Sequence, residues 1–116
     1  MVALRDPSAS LKGLVAKLQA WDGTFENEDS STWAVQHAIE SDGFQYVVER
    51  CYERPPDHYH LMFALPDEAT MRHVTDVQGT VEDAKNTFLE WATSVLMGLE
   101  PEPSSAYPPA QYCLPF

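Results

Sequence analysis

The segment from Thr32 to Tyr52 constrains the fold more than any other part of the chain. It is predicted to form two strands joined by Asp42-Gly43, a dipeptide that favours a type I′ turn because both central positions need positive φ. The resulting pairs are Ser41 with Phe44, Ile39 with Tyr46, His37 with Val48, Val35 with Arg50 and Trp33 with Tyr52. Side chains alternate along a strand, so these residues share one mostly apolar face, and the residues between them share a face of small and polar side chains. We expect the first face to be covered and the second to be uncovered.

Two amphipathic helices are predicted outside this hairpin. The first has an apolar side at helical spacing, made of Leu11, Leu14, Val15, Leu18 and Trp21. The second begins after a Thr80 cap, where Asp83 completes a variant of the capping box, and its apolar side extends to Leu99. Both helices need an apolar surface to pack on, and the sheet supplies one.

The remaining strands complete the predicted fold. The segment 58–65 alternates as a third strand. Met71 to Val77 alternates poorly and is predicted as a fourth strand, and the alternative is a short helix across Asp67 to Arg72 that begins just after Pro66. The fold class is therefore α+β, an antiparallel three- or four-stranded meander with an N-terminal and a C-terminal helix packed on one face, in the order α-β-β-β-(β)-α. Residues 1–100 are predicted to be a single domain. Residues 101–116 form an extended Pro-rich tail that either packs back or binds a partner.

The charge of the chain restricts its partners. Seven Lys and Arg stand against 18 Asp and Glu, which gives a formal net charge of −11. Such a surface repels nucleic-acid phosphates and anionic membranes, so we predict neither as a direct partner. It favours a protein partner with a basic surface, which includes the nucleic-acid-binding surfaces of other proteins.

We predict a cytoplasmic protein, because the N-terminal sequence has no apolar signal segment and no stretch has the length of a transmembrane helix. The two cysteines, Cys51 and Cys113, give neither a disulfide framework nor a zinc spacing. Two reduced thiols are the simplest interpretation, and a single Cys51–Cys113 bridge is the alternative.

The leading functional hypothesis is a small acidic protein-binding module of the inhibitor, immunity-protein or phage anti-defence type. An acidic loop and the polar sheet face supply its predicted contacts, which are Glu26, Glu28, Asp29, Glu40, Asp42 and Glu49. Aromatic residues of the tail, Tyr107, Tyr112 and Phe116, are predicted anchors. A homodimeric structural or assembly protein is the first alternative.

The second alternative is a small metal-dependent enzyme that uses His58 and His60. Two histidines separated by one residue on a strand point to the same side, which suits a metal ion. A third ligand would be His73, Glu49 or Cys51, whereas His37 falls on the opposite, apolar face. The simpler interpretation is that the histidines are exposed strand residues. Because no nucleotide-binding, hydrolase or metalloprotease motif occurs, we predict no catalytic residue, no cofactor and no metal.

Overall fold

The computed structural model describes residues 7–25, 34–51, 58–103 and Tyr107. Its elements are α1 (Pro7–Ala20), β1 (Ala34–Ser41), β2 (Phe44–Cys51), β3 (His58–Ala64), β4 (Arg72–Gln78) and α2 (Val81–Leu96). The strands form one antiparallel sheet in the order β1-β2-β3-β4. This confirms the predicted α+β meander and selects its four-stranded form. Neither described helix is long and apolar enough to span a lipid bilayer.

The β1–β2 hairpin has the predicted register. Ser41 pairs with Phe44, and the ladder continues to Ala34 opposite Cys51. Asp42 and Gly43 have φ values of 52° and 87°, as a type I′ turn requires. The predicted Trp33–Tyr52 pair lies outside the described residues.

Both helices pack on the face of the sheet that carries Tyr46, Val48 and Leu61. Helix α1 lies against α2 and β1, while α2 contacts β3 and β4. Apolar residues of the helices and strands form one core cluster, centred on Leu11, Leu14, Leu18, Tyr46, Val48, Tyr59, Leu61, Phe63 and Phe88. These side chains are at most 1% exposed.

Three polar side chains join α1 to the hairpin within this core. Ser10 Oγ donates to the backbone oxygen of Ser41 at 2.9 Å, and Ser41 Oγ donates to the backbone oxygen of Ser10 at 2.8 Å. Ser10 Oγ also lies 2.6 Å from the Tyr46 hydroxyl. Gly13 permits this close approach, because a Cβ at that position would collide with Ser41 Oγ.

The ends of α2 agree only partly with the prediction. Thr80 Oγ1 accepts from the Asp83 backbone N–H at 3.2 Å, and Asp83 Oδ2 accepts from the Thr80 backbone N–H at 2.9 Å, so the capping box is present. The helix ends at Leu96, with Met97 as its C-cap. The prediction that Leu99 belongs to the apolar side is therefore wrong: Leu99 lies beyond the helix and is 71% exposed.

Strand β4 contains an irregularity that explains its poor alternation. Leu61 pairs with Thr75, but the next residue, Met62, pairs with His73, so Val74 is an extra residue in β4. Such a β-bulge shifts the alternation of one strand by one residue. His73 consequently lies on the same face as Asp76, although an even alternation would place them on opposite faces.

Candidate functional site

A row of polar residues crosses the sheet face that the helices leave free. Gln36 of β1 pairs with Glu49 of β2, Glu49 pairs with His60 of β3, and His60 pairs with Asp76 of β4. We call these four residues the polar row. Gln36 Nε2 donates to Glu49 Oε2 at 3.1 Å, and His60 Nδ1 lies 2.6 Å from Asp76 Oδ1.

Three histidines surround the Asp76 carboxylate at the β4 end of this row. His60 Nδ1 and His73 Nε2 each lie 2.6 Å from Oδ1. His58 Nε2 lies 4.0 Å from Oδ2. The rings of His58 and His60 are close neighbours, with centroids 5.0 Å apart. We call His58, His60, His73 and Asp76 the histidine cluster.

The histidine cluster includes all three histidines that the sequence predicts as weak metal candidates. Adjacent pairing of β3 with β4 brings Asp76 opposite His60, and the bulge at Val74 brings His73 to the same side. Asp76 is absent from the sequence-based candidates. A polar residue opposite the histidines could have indicated it, but only with the β3–β4 register already known.

The centre of this sheet face is buried, which contradicts the expectation that the face is uncovered. Glu49 is 2% exposed and His60 is 7% exposed. The apolar side chains beside them, Val47, Cys51 and Met62, are also buried. Because these three neighbours are apolar, the middle of this sheet face favours burial over contact with water. Glu49 therefore does not lie at the surface where a partner contact was predicted.

Burial determines the charge behaviour of Glu49. Loss of water raises the pKa of its carboxyl group above the usual value, and the hydrogen bond from Gln36 and the nearby His60 oppose this only in part. One carboxylate oxygen, Oε1, has no hydrogen-bond partner among the described residues. A buried acceptor without a partner is costly, so this oxygen marks a polar atom that the fold leaves available.

The pKa of Asp76 changes in the opposite direction. Partial burial by itself would raise the pKa, but hydrogen bonds from His73 and His60, and the charges that these rings can carry, lower it below the usual value. The polar row therefore holds one carboxyl group whose environment disfavours ionisation and another whose environment favours it. His60 lies between them.

Cys51 is next to this row at the end of β2 and is disulfide-bonded. This corrects the prediction of reduced thiols. The only other cysteine in the sequence is Cys113, which lies outside the described residues.

The predicted partner-binding residues fall into three groups. Glu40 and Asp42 are exposed at and beside the β1–β2 turn. Tyr107 packs on the protein itself: its ring centroid is 5.0 Å from that of Phe63, and its backbone oxygen accepts from Arg72 Nη1 at 3.4 Å. The others lie outside the described residues, namely Glu26, Glu28, Asp29, Tyr112 and Phe116.

His37 lies apart from the histidine cluster. This agrees with its predicted position on the apolar face of the sheet, opposite to the face of His58 and His60. Its ring stacks on Trp21 with a centroid distance of 4.4 Å and an interplanar angle of 1°. It also lines a surface groove of about 290 Å³ between the end of α1 and β1. Arg50, which lies on the same face of the neighbouring strand β2, does not line this groove.

Comparison with protein-family models, with curated proteins and with solved structures found no match for this chain.

Proposed function

We propose that the protein is a small acidic protein-binding module, of the inhibitor, immunity-protein or phage anti-defence type, that occupies a basic surface of a partner protein. The observation that carries the proposal is the net charge of −11 together with the exposure of the acidic side chains. Within the described part of the chain the exposed carboxylates are Asp22, Glu40, Asp42, Asp67, Asp76, Glu82, Asp83, Glu90, Glu100 and Glu102. Only Glu49 and Glu68 of the described acidic residues are less exposed.

The basic side chains do little to neutralise this surface. Lys17 Nζ donates to the backbone oxygen of Glu40 at 2.5 Å, and Lys85 Nζ donates to that of Trp21 at 2.9 Å. Arg72 forms an ion pair with Glu68 at 3.2 Å. Arg72 is thus paired with a carboxylate, whereas the two lysines are bonded to neutral carbonyl groups and keep their charge. The net charge of −11 that remains after every Lys and Arg is counted attracts a basic partner and accelerates its approach.

The β1–β2 turn is the part of the proposed contact surface that can be tested from described residues. Glu40 and Asp42 are exposed there, and a tight type I′ turn holds the backbone between the strands in one conformation. A rigid acidic tip loses little conformational freedom on binding, which favours affinity.

Affinity capture tests the proposal. The full-length chain is immobilised and exposed to an extract of its source organism at low salt, and retained proteins are eluted with increasing salt. We expect a retained protein with a basic surface that elutes as the salt concentration rises, because salt screens exposed charges.

A charge-matched pair of variants locates the contact. Glu40→Gln with Asp42→Asn should weaken retention, whereas Glu100→Gln with Glu102→Gln removes the same charge from the far end of α2 and should leave retention unchanged. If salt does not weaken retention of the partner, the interface is not electrostatic. If the two double variants retain the partner equally well, the β1–β2 turn does not belong to the contact surface.

The homodimeric protein and the metal-dependent enzyme stay predictions of the sequence.

A further inference from the structure

We propose that His58, His60 and Asp76 bind a divalent transition-metal ion of the zinc class, and that His73 positions the Asp76 carboxylate. This site is independent of the proposed partner surface at the β1–β2 turn.

The strand geometry directs these ligands to one point. His58 and His60 are two residues apart on β3, so both rings leave the same face of the sheet. Asp76 is the direct cross-strand partner of His60. One potential ligand atom from each of the three side chains lies within 4.8 Å of the other two.

These separations need only small side-chain rotations to accommodate a metal ion. Nitrogen and oxygen ligands about 2.0–2.1 Å from a tetrahedral zinc ion lie roughly 3.4 Å from one another. The separations in the structure are 2.6 Å between Asp76 Oδ1 and His60 Nδ1 and 4.0 Å between Asp76 Oδ2 and His58 Nε2, and they lie on either side of that value. The strands fix the Cα positions, so the adjustment concerns χ angles alone.

His73 supports the site without belonging to the ligand set. Its Nε2 lies 2.6 Å from Asp76 Oδ1, the arrangement in which a neighbouring side chain orients a carboxylate ligand. The bulge at Val74 is what brings His73 to this side of the sheet. The bulge interrupts the regular β3–β4 pairing, and this interruption adds His73 to the cluster.

A second group of potential ligand atoms lies on the other side of His60. A carboxylate oxygen of Glu49, a ring nitrogen of His60 and the Cys51 sulfur lie within 4.8 Å of one another. Glu49 is 2% exposed, and its Oε1 has no hydrogen-bond partner among the described residues. The Cys51 sulfur is in a disulfide and is therefore no thiolate ligand. The metal is accordingly placed on the His58 and Asp76 side of His60.

The ligand types select the metal. Two imidazoles and one carboxylate suit zinc and its neighbours in the first transition row, with water in the remaining position, whereas calcium and magnesium prefer oxygen ligands alone. Ionised carboxylate and neutral imidazole are the forms that bind the metal.

Titration calorimetry with zinc chloride tests the proposal on the full-length chain without a histidine tag, after treatment with a chelator. We expect one ion per chain. His58→Gln and Asp76→Asn should each weaken binding at least tenfold, and His73→Gln should weaken it about 10- to 100-fold without abolishing it, as loss of a positioning residue does. His37→Gln is the matched control, because His37 stacks on Trp21 outside the cluster, and its affinity should equal that of the unsubstituted chain.

Circular dichroism of each variant shows whether its fold is retained, and the nearly isosteric Asp76→Asn carries the test if His58→Gln unfolds. A chain that binds no zinc would overturn the proposal. Zinc binding that survives both Asp76→Asn and His58→Gln, or that calcium competes with equally, would also overturn it.

Discussion

Gly13 shows how a single residue can serve packing at the expense of helix propensity. The sequence indicates only that glycine weakens α1 slightly, since alanine is favoured at such a position by about 1 kcal/mol. The structure gives the reason for glycine: Ser41 Oγ occupies the space into which a Cβ would project. No local pattern could predict this, because Ser41 is brought to α1 by the tertiary fold.

We therefore expect Gly13→Ala to destabilise the protein by about 1–3 kcal/mol, the range of overpacked sites, despite its better propensity. The measurement is the free energy of unfolding in urea for Gly13→Ala, Ser41→Ala and the double variant. The cost of Gly13→Ala should be smaller in the Ser41→Ala background, which removes the colliding oxygen. Equal costs in both backgrounds would contradict the proposed contact.

Tyr46 links stability to alkaline pH. Burial raises the pKa of its hydroxyl group to about 12, an effect that the hydrogen bond with Ser10 only partly offsets. Because the folded pKa exceeds the ordinary value of 10, the folded state holds the proton more tightly, and this stabilisation is lost as the pH rises from 10 to 12. We expect the loss to be about 2–3 kcal/mol, since each unit of pKa corresponds to 1.4 kcal/mol.

Tyr46→Phe isolates this contribution. Its free energy of unfolding should be lower at neutral pH, where a hydrogen bond is lost, but should decline less than that of the unsubstituted chain between pH 10 and 12. Parallel declines would show that Tyr46 does not account for the alkaline sensitivity.

At the scale of elements, the sequence predicts the β1–β2 hairpin well and β4 poorly. Asp42-Gly43 specifies both the turn and the register, so every pair from Ser41–Phe44 onward follows. In β4 the extra residue Val74 reverses the alternation midway, and the pattern becomes uninformative. The sequence therefore identifies the three histidines as candidates. It does not predict that they lie on the same face of the sheet as Asp76.

Deletion of Val74 tests the bulge. The shortened strand would keep His73 opposite Met62 and Asp76 opposite His60, so we expect a folded protein. Deletion of Val77 is the control, because it would place either Asp76 or Gln78 opposite Tyr59 on the core face and should destabilise the chain far more. The comparison uses the thermal unfolding midpoints of the two deletions, and equal midpoints would count against the bulge.

The sequence predicts the capping box of α2 and both of its residues, Thr80 and Asp83. Thr80→Ala removes the side-chain acceptor for the Asp83 backbone N–H and should lower the free energy of unfolding by about 1 kcal/mol. Urea denaturation measures the change. Thr93→Ala, an exposed position within the same helix, is the control and should be neutral or slightly stabilising, because alanine has the better helix propensity.

At the scale of the whole molecule, the negative charge opposes compactness as well as attracting partners. With a net charge of −11, repulsion among exposed carboxylates destabilises the folded state. Moderate concentrations of sodium chloride should therefore raise the midpoint of thermal unfolding, because the ions screen this repulsion. A midpoint that falls or stays constant would show that local ion pairs outweigh the general repulsion.

The same charge underlies the proposed function, and one measurement tests it most directly. Once a partner is captured, the association rate constant is measured by stopped-flow mixing from about 0.05 M to 0.5 M sodium chloride, a range over which screening becomes strong. We predict that the rate constant falls at least tenfold, as it does when electrostatic attraction steers association. Glu40→Gln with Asp42→Asn should lower it at the lowest salt concentration. A rate constant that neither salt nor this double variant changes would contradict the proposal that the acidic surface recruits the partner.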